Sequence, residues 1–182
     1  MFEIGAHSLE DLRALKVPDG TLATLEDALE TVRGKCGVMI DLKAEKLEQP
    51  ILERLKKHHF SDVMVCGGYG DTLQNIKLER PDLAVSLTPS PEFYRSMYQD
   101  LAGMPHLDAL TVYWRTVGPR MVELTRASGV LLLAWTVDHP HLAQNLLELG
   151  VNGITSNSLE VLKGIARAAR GQNGLGPQGR TD

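Results

Sequence analysis

The sequence predicts an α/β fold assembled from six β/α units, and three observations carry that expectation. Short apolar runs alternate with helical patterns from Val38 onward, the order that builds a parallel sheet. The runs begin about 20 to 25 residues apart, the length of a repeating strand-loop-helix-loop unit. Most runs are continuous in hydrophobicity, as expected of parallel strands covered on both faces. Six units leave two architectures open. An eight-unit barrel needs two more strands, whereas an open doubly wound sheet can stop at six and, if flavodoxin-like, binds a small phosphate compound where its strand order reverses.

The elements follow in order. TLATLEDALETV, residues 21 to 32, places Leu22, Leu25, Leu29 and Val32 on one helical face, with Thr24 and Asp27 at cap spacing and Gly34 as a stop. VMIDL (38 to 42) is the first strand, and ILERLKKHHF, opened by Pro50, is the helix before the second strand, DVMVC (62 to 66). CGGYGD, Cys66 to Asp71, reads as a β/α loop, because it lacks both the third glycine of a dinucleotide fingerprint and the Gly-Lys-Ser/Thr of a P-loop. LAVSL (83 to 87) and ALTVY (109 to 113) are the third and fourth strands, with Tyr113, Trp114 and Arg115 closing the fourth on one face of the sheet. MVELTRASG follows Pro119 and stops at Gly129; HPHLAQNLLELG has Pro140 at its start and Gly150 at its end. VLLLAWTV (130 to 137) and GIT (153 to 155) are the last two strands, and Ser158 can cap the final helix, SLEVLKGIARAAR. After Arg170, GQNGLGPQGRTD has four Gly, one Pro and almost no apolar content, which predicts a domain over 1 to 170 and a disordered tail over 171 to 182.

Composition narrows the function class. The chain has 182 residues, 43% of them hydrophobic, and a net charge of −4 with Lys and Arg dispersed. That is enough apolar content for a sizeable core. No basic stripe marks a nucleic-acid or anionic-membrane surface. Cys36 and Cys66 are too few for a disulfide framework and read as reduced thiols. MFEIGAHSLEDL carries acidic residues early and no long apolar stretch, so it is not a secretory signal, and no run reaches the length of a membrane span. A soluble cytoplasmic chain is the expectation.

GVMIDLK, Gly37 to Lys43, holds the most informative side chains. Residues i and i+2 of a strand share a face, so Asp41 and Lys43 point the same way at a carboxyl end, where ligands of α/β folds bind. They form either part of a site or a satisfied ion pair. Arg115 could grip a phosphate bidentately or stand solvated in a loop. The histidine pairs offer less: His58-His59 suits a helix C-terminus, and His139 and His141 lack a third ligand nearby.

Three segments, in this order, resemble the glycerophosphodiester phosphodiesterase family, whose domain is a β/α barrel. TLATLEDALE followed by VMIDLK is similar to that family's helix with a threonine-leucine-glutamate opening and the strand ending in glutamate-x-lysine. LLLAWTVD, Leu131 to Asp138, is similar to its Trp-Thr-Val/Asn strand, and LGVNGITSN, Leu149 to Asn157, to its Gly-Val-Asp-Gly-Ile-Ile-Thr-Asp. The resemblance spans roughly residues 8 to 168 and implies a TIM-type barrel with about six of its β/α units in this chain. It implies a metal-dependent hydrolysis of a small-molecule glycerophosphodiester to glycerol 3-phosphate and an alcohol. Asp41 then stands where a glutamate binds a divalent metal, Mg²⁺ or Ca²⁺, and Lys43 where a lysine faces the substrate phosphate. Trp135 would line the pocket mouth against an apolar part of the substrate.

The departures shape the expectation equally. The family's first strand ends His-Arg-Gly, its second carries Glu-x-Asp, and a His-Asp pair follows; these supply the acid, the base and most metal ligands, and none occurs here. Ser156-Asn157 replaces the usual Thr-Asp. The chain is therefore expected to lack the first two strands and to be weakly active or inactive alone. It is read either as an incomplete gene product or as a non-catalytic binding module. Open barrel edges would favour self-association.

Overall fold

The computed structural model describes residues 4–15, 20 and 22–172. Six strands form one all-parallel sheet: β1 Val38–Leu42, β2 Val63–Gly67, β3 Ala84–Leu87, β4 Ala109–Tyr113, β5 Leu131–Trp135 and β6 Gly153–Ile154. Their spatial order is β1-β2-β3-β4-β5-β6, and the sheet curls as a half-barrel. Among the described residues there are eight α-helices, two before β1 and one after each strand: α1 Leu9–Ala14, α2 Leu25–Val32, α3 Glu48–Lys57, α4 Gly70–Glu79, α5 Phe93–Asp100, α6 Pro119–Ala127, α7 Pro140–Leu149 and α8 Leu159–Gln172.

The sequential order removes the open doubly wound alternative, which requires a reversal in strand order. It also corrects the expectation that both faces of each strand are covered. Parallel crossovers of one hand, repeated without reversal, lay every helix on the same side. The helix-facing positions are aliphatic and buried: Leu42, Val63, Val65, Val85, Leu110, Val112 and Leu132 are all at most 5% exposed. Each such Leu or Val contributes about 1.5–3 kcal/mol through burial. The alternate positions form the concave face, where Met39 and Leu131 remain 40% and 46% exposed.

Local chemistry sets the helix ends. At α2, the Thr24 hydroxyl accepts from the Asp27 amide at 3.2 Å while the Asp27 carboxylate accepts from the Thr24 amide at 2.8 Å. This capping box satisfies two amides that the helix leaves without partners. Ser8 and Asp11 form the same box on α1. Helix α7 opens on Pro140 and ends at Gly150, φ +117°, whose left-handed backbone favours glycine.

Several boundaries differ from the sequence expectation. β5 stops at Trp135 rather than 137, and Arg115 lies in a 3₁₀ turn, Trp114–Thr116, rather than on β4. Adjacent strand residues alternate faces, so Tyr113, Trp114 and Arg115 could not share one. The CGGYGD loop is shorter than expected, since α4 starts at Gly70. Helix α8 continues through Gly171 and Gln172, and the rest of the expected tail lies outside the described residues.

Candidate functional site

The strand alternation that buries aliphatic residues under the helices sends another set of side chains to the concave face and its carboxyl rim. There they line a pocket of about 720 Å³. β1 contributes Met39, Asp41 and Leu42, and Lys43 follows at its exit; β2 and its exit contribute Cys66, Gly67, Gly68 and Tyr69. The remaining strands supply Thr88, Thr111, Trp135, Thr136 and Thr155. Asp41 lies level with Cys66, and Cys66 with Ser86, across the register of β1, β2 and β3.

Asp41 and Lys43 point the same way and pair directly, Lys43 Nζ donating to Asp41 Oδ2 at 2.5 Å. Their side chains are 49% and 82% exposed. The hydrogen bond to Asp41 is the main cause that holds the Lys43 ammonium above its ordinary pKa. Cys66 beneath them is buried, and desolvation, then the Asp41 charge, pushes its thiol up to about 11. At neutral pH it is therefore a protonated thiol, not a nucleophile.

The floor is polar but satisfied. The hydroxyls of Ser86 and Thr111 share a hydrogen bond of 2.5 Å, with Ser86 fully buried. Trp135, half-buried, donates its indole N–H to the Thr111 carbonyl at 3.2 Å and lies against Tyr113, ring centroids 5.7 Å apart. Gly67 permits the close approach of β2 to β1. Its φ is +152°, and a Cβ there would stand 2.9 Å from Leu42 Cβ. Beyond the pocket, Asp138 clasps the loops after β5 and β6 by accepting from the Ser156 hydroxyl at 2.8 Å and the Asn157 amide at 2.7 Å. Those bonds, the Ser156 hydroxyl foremost, hold its carboxyl below the usual range.

Asp41, Lys43 and Trp135 thus line one pocket. Arg115 does not: it is exposed, with its guanidinium stacked 5.0 Å from the Trp114 ring centroid. His58 pairs with Glu30 at 2.7 Å, at the α2–α3 contact, and His139 and His141 are exposed around the start of α7. The threonines of the lining are not among the residues that the sequence motifs single out. Thr88, Thr136 and Thr155 each sit one residue beyond a strand's end, and a threonine at that offset in three of six units was the available signal.

The divalent cation that the resemblance implies sets a requirement on the donor set. Hard cations of this kind take six or more oxygen ligands, several of them carboxylates. Among the described residues Asp41 is the one carboxylate lining the pocket, and an ammonium already occupies it at 2.5 Å. Among the described residues no three His, Cys, Asp or Glu side chains converge. The residues of this pocket do not fit that ion.

A parallel β/α half-barrel whose strand ends carry a lysine, threonine hydroxyls and a tryptophan around one pocket defines a barrel-type protein with a candidate binding pocket at the carboxyl rim. The description of the glycerophosphoryl diester phosphodiesterase family matches residues 3–161, and the chain belongs to that family. It is 22% identical over 143 residues to a glycerophosphodiester phosphodiesterase of Caldanaerobacter subterraneus subsp. tengcongensis, covering 78% of this chain and 57% of the relative. It is 24% identical to a glycerophosphodiester phosphodiesterase of Arabidopsis thaliana, covering 92% and 56%. The chain therefore spans a little over half the length of these curated relatives. Among solved structures it resembles an Oleispira antarctica phosphodiesterase in complex with the product sn-glycerol-3-phosphate. That match has a TM-score of 0.70 and 22% identity, over 90% of this chain and 72% of that one.

Proposed function

We propose that the pocket binds a glycerophosphodiester through its phosphate, in a site whose family reaction is hydrolysis to glycerol 3-phosphate and an alcohol. The observation that carries this reading is Lys43, an exposed ammonium at a strand end, facing a pocket whose other side includes Trp135. In that reaction water adds to phosphorus, the P–O bond to the alcohol breaks, and the leaving alkoxide takes a proton. Lys43 offsets the phosphate charge, Trp135 packs an apolar part of the substrate, and Thr88, Thr136 and Thr155 offer hydroxyl donors. Arg115, stacked on the Trp114 ring outside the pocket lining, has no part in this reading. A positioned proton donor is a separate requirement, and Asp41, held by Lys43, does not meet it. This chain alone is expected to bind the ester and to hydrolyse it weakly or not at all.

Two measurements test the proposal. Calorimetric titration with sn-glycerol 3-phosphate should show saturable binding that Lys43→Met removes, while release of glycerol 3-phosphate from a glycerophosphodiester should run far below that of a longer relative. Unchanged binding in Lys43→Met, or turnover matching the relative, defeats the reading.

A further inference from the structure

We infer that Asp41 acts in this chain as the internal counter-ion of Lys43 rather than as a metal ligand. The pocket then takes a phosphate-ester anion without a divalent cation, in competition with Asp41. The inference rests on the proposed reading of the pocket as a phosphate-ester site.

Two observations lead to it. Asp41 and Lys43, two residues apart at the end of β1, face the same space and meet at 2.5 Å, so the carboxylate already satisfies the cation that an incoming phosphate would need. Among the described residues the rest of the lining provides aliphatic, thioether, thiol, hydroxyl, aromatic and backbone groups but no second carboxylate. A lone carboxylate beside an ammonium is a poor cradle for a divalent cation, because the two positive charges repel at contact distance. The same arrangement suits exchange of one anion for another. Phosphate oxygens accept from Lys43 Nζ as the Asp41 carboxylate turns away, and both groups are exposed enough for that exchange to occur in water.

The consequence has a sign opposite to that of a metal site. Neutralising Asp41 frees Lys43 and removes a like charge facing the anion, so phosphate binding should strengthen by about 3- to 5-fold, the scale of one exposed charge pair. Neutralising a metal ligand would weaken it.

The experiment titrates the full chain and its Asp41→Asn, Asp41→Glu and Lys43→Met variants with sn-glycerol 3-phosphate and, separately, with inorganic phosphate. Each titration is run in EDTA and again in millimolar Mg²⁺. The expected result is binding in EDTA, tightening in Asp41→Asn, wild-type affinity in Asp41→Glu, loss in Lys43→Met, and less than a twofold effect of Mg²⁺. Binding that needs Mg²⁺, or that weakens in Asp41→Asn, overturns the inference while leaving the phosphate-ester reading in place. Tightening toward inorganic phosphate with no preference for the glycerol ester supports the inference and sinks the glycerophosphodiester reading. No binding of either anion to Asp41→Asn removes both. Circular dichroism of each variant confirms that an altered affinity belongs to a folded chain.

Discussion

Replacing Thr111 by Val removes half of the hydroxyl pair under the pocket, and the geometry predicts an asymmetric cost. Ser86 is fully buried and its hydroxyl pairs with Thr111 at 2.5 Å, while Thr111 is 6% exposed and lines the pocket. In Thr111→Val the Ser86 hydroxyl loses that partner where water cannot follow, a loss of about 1–3 kcal/mol. In Ser86→Ala the remaining Thr111 hydroxyl borders the pocket, where water can replace the partner, and the loss is about 1 kcal/mol or less. The double variant leaves neither hydroxyl unpaired, so it should be more stable than Thr111→Val alone. Urea unfolding followed by far-UV circular dichroism gives the four stabilities and the coupling energy of the cycle. Equal costs for the two single changes, or strictly additive costs in the double variant, would refute the assignment of Ser86 as the member sealed from water.

Two further outcomes are expected. Glu30 accepts from Arg33 and His58, bonds that lower its carboxyl from 4.5 to about 2. A depressed carboxyl contributes stability that is fully present above about 4.5 and is lost as pH falls toward about 2. Glu30→Gln should therefore flatten the stability profile in that window, and an unchanged acid limb in a urea series would contradict the network. Iodoacetamide at pH 8 should label exposed Cys36 well before buried Cys66, whose thiol sits near 11; equal labelling rates by mass spectrometry would show that the pocket floor opens freely.

How much was legible can be followed residue by residue. Thr24 and Asp27 stand at cap spacing in the sequence and form the box that starts α2, because a cap is decided by neighbours three residues apart. The strand VMIDL is the observed β1, and the pairing of Asp41 with Lys43 follows from the two-residue period of a strand. Arg115 was misplaced because an apolar and aromatic continuation past Tyr113 does not reveal the 3₁₀ turn that takes the chain out of the sheet. Likewise, the β-type run through Thr136 and Val137 does not reveal that β5 stops at Trp135. The Ser86–Thr111 bond and the Asp138 clasp join residues 25 and 18 to 19 positions apart, beyond any local pattern.

The sequence alone determined the repeating β/α rhythm, the helix caps, the family to which the chain belongs, and the presence of one carboxylate and one ammonium at the end of β1. Those properties arise from spacing along the chain, where hydrophobic period and hydrogen-bonding reach are local. Only the tertiary structure decided that the strands are wound in one direction, which clothes one face in helices and leaves Met39 and Leu131 open on the other. It alone gathered Lys43, Trp135 and the strand-end threonines around one pocket and sealed Ser86 beneath it. Winding and convergence are set by how distant segments pack against each other, and the free energy of that packing belongs to no single stretch of sequence.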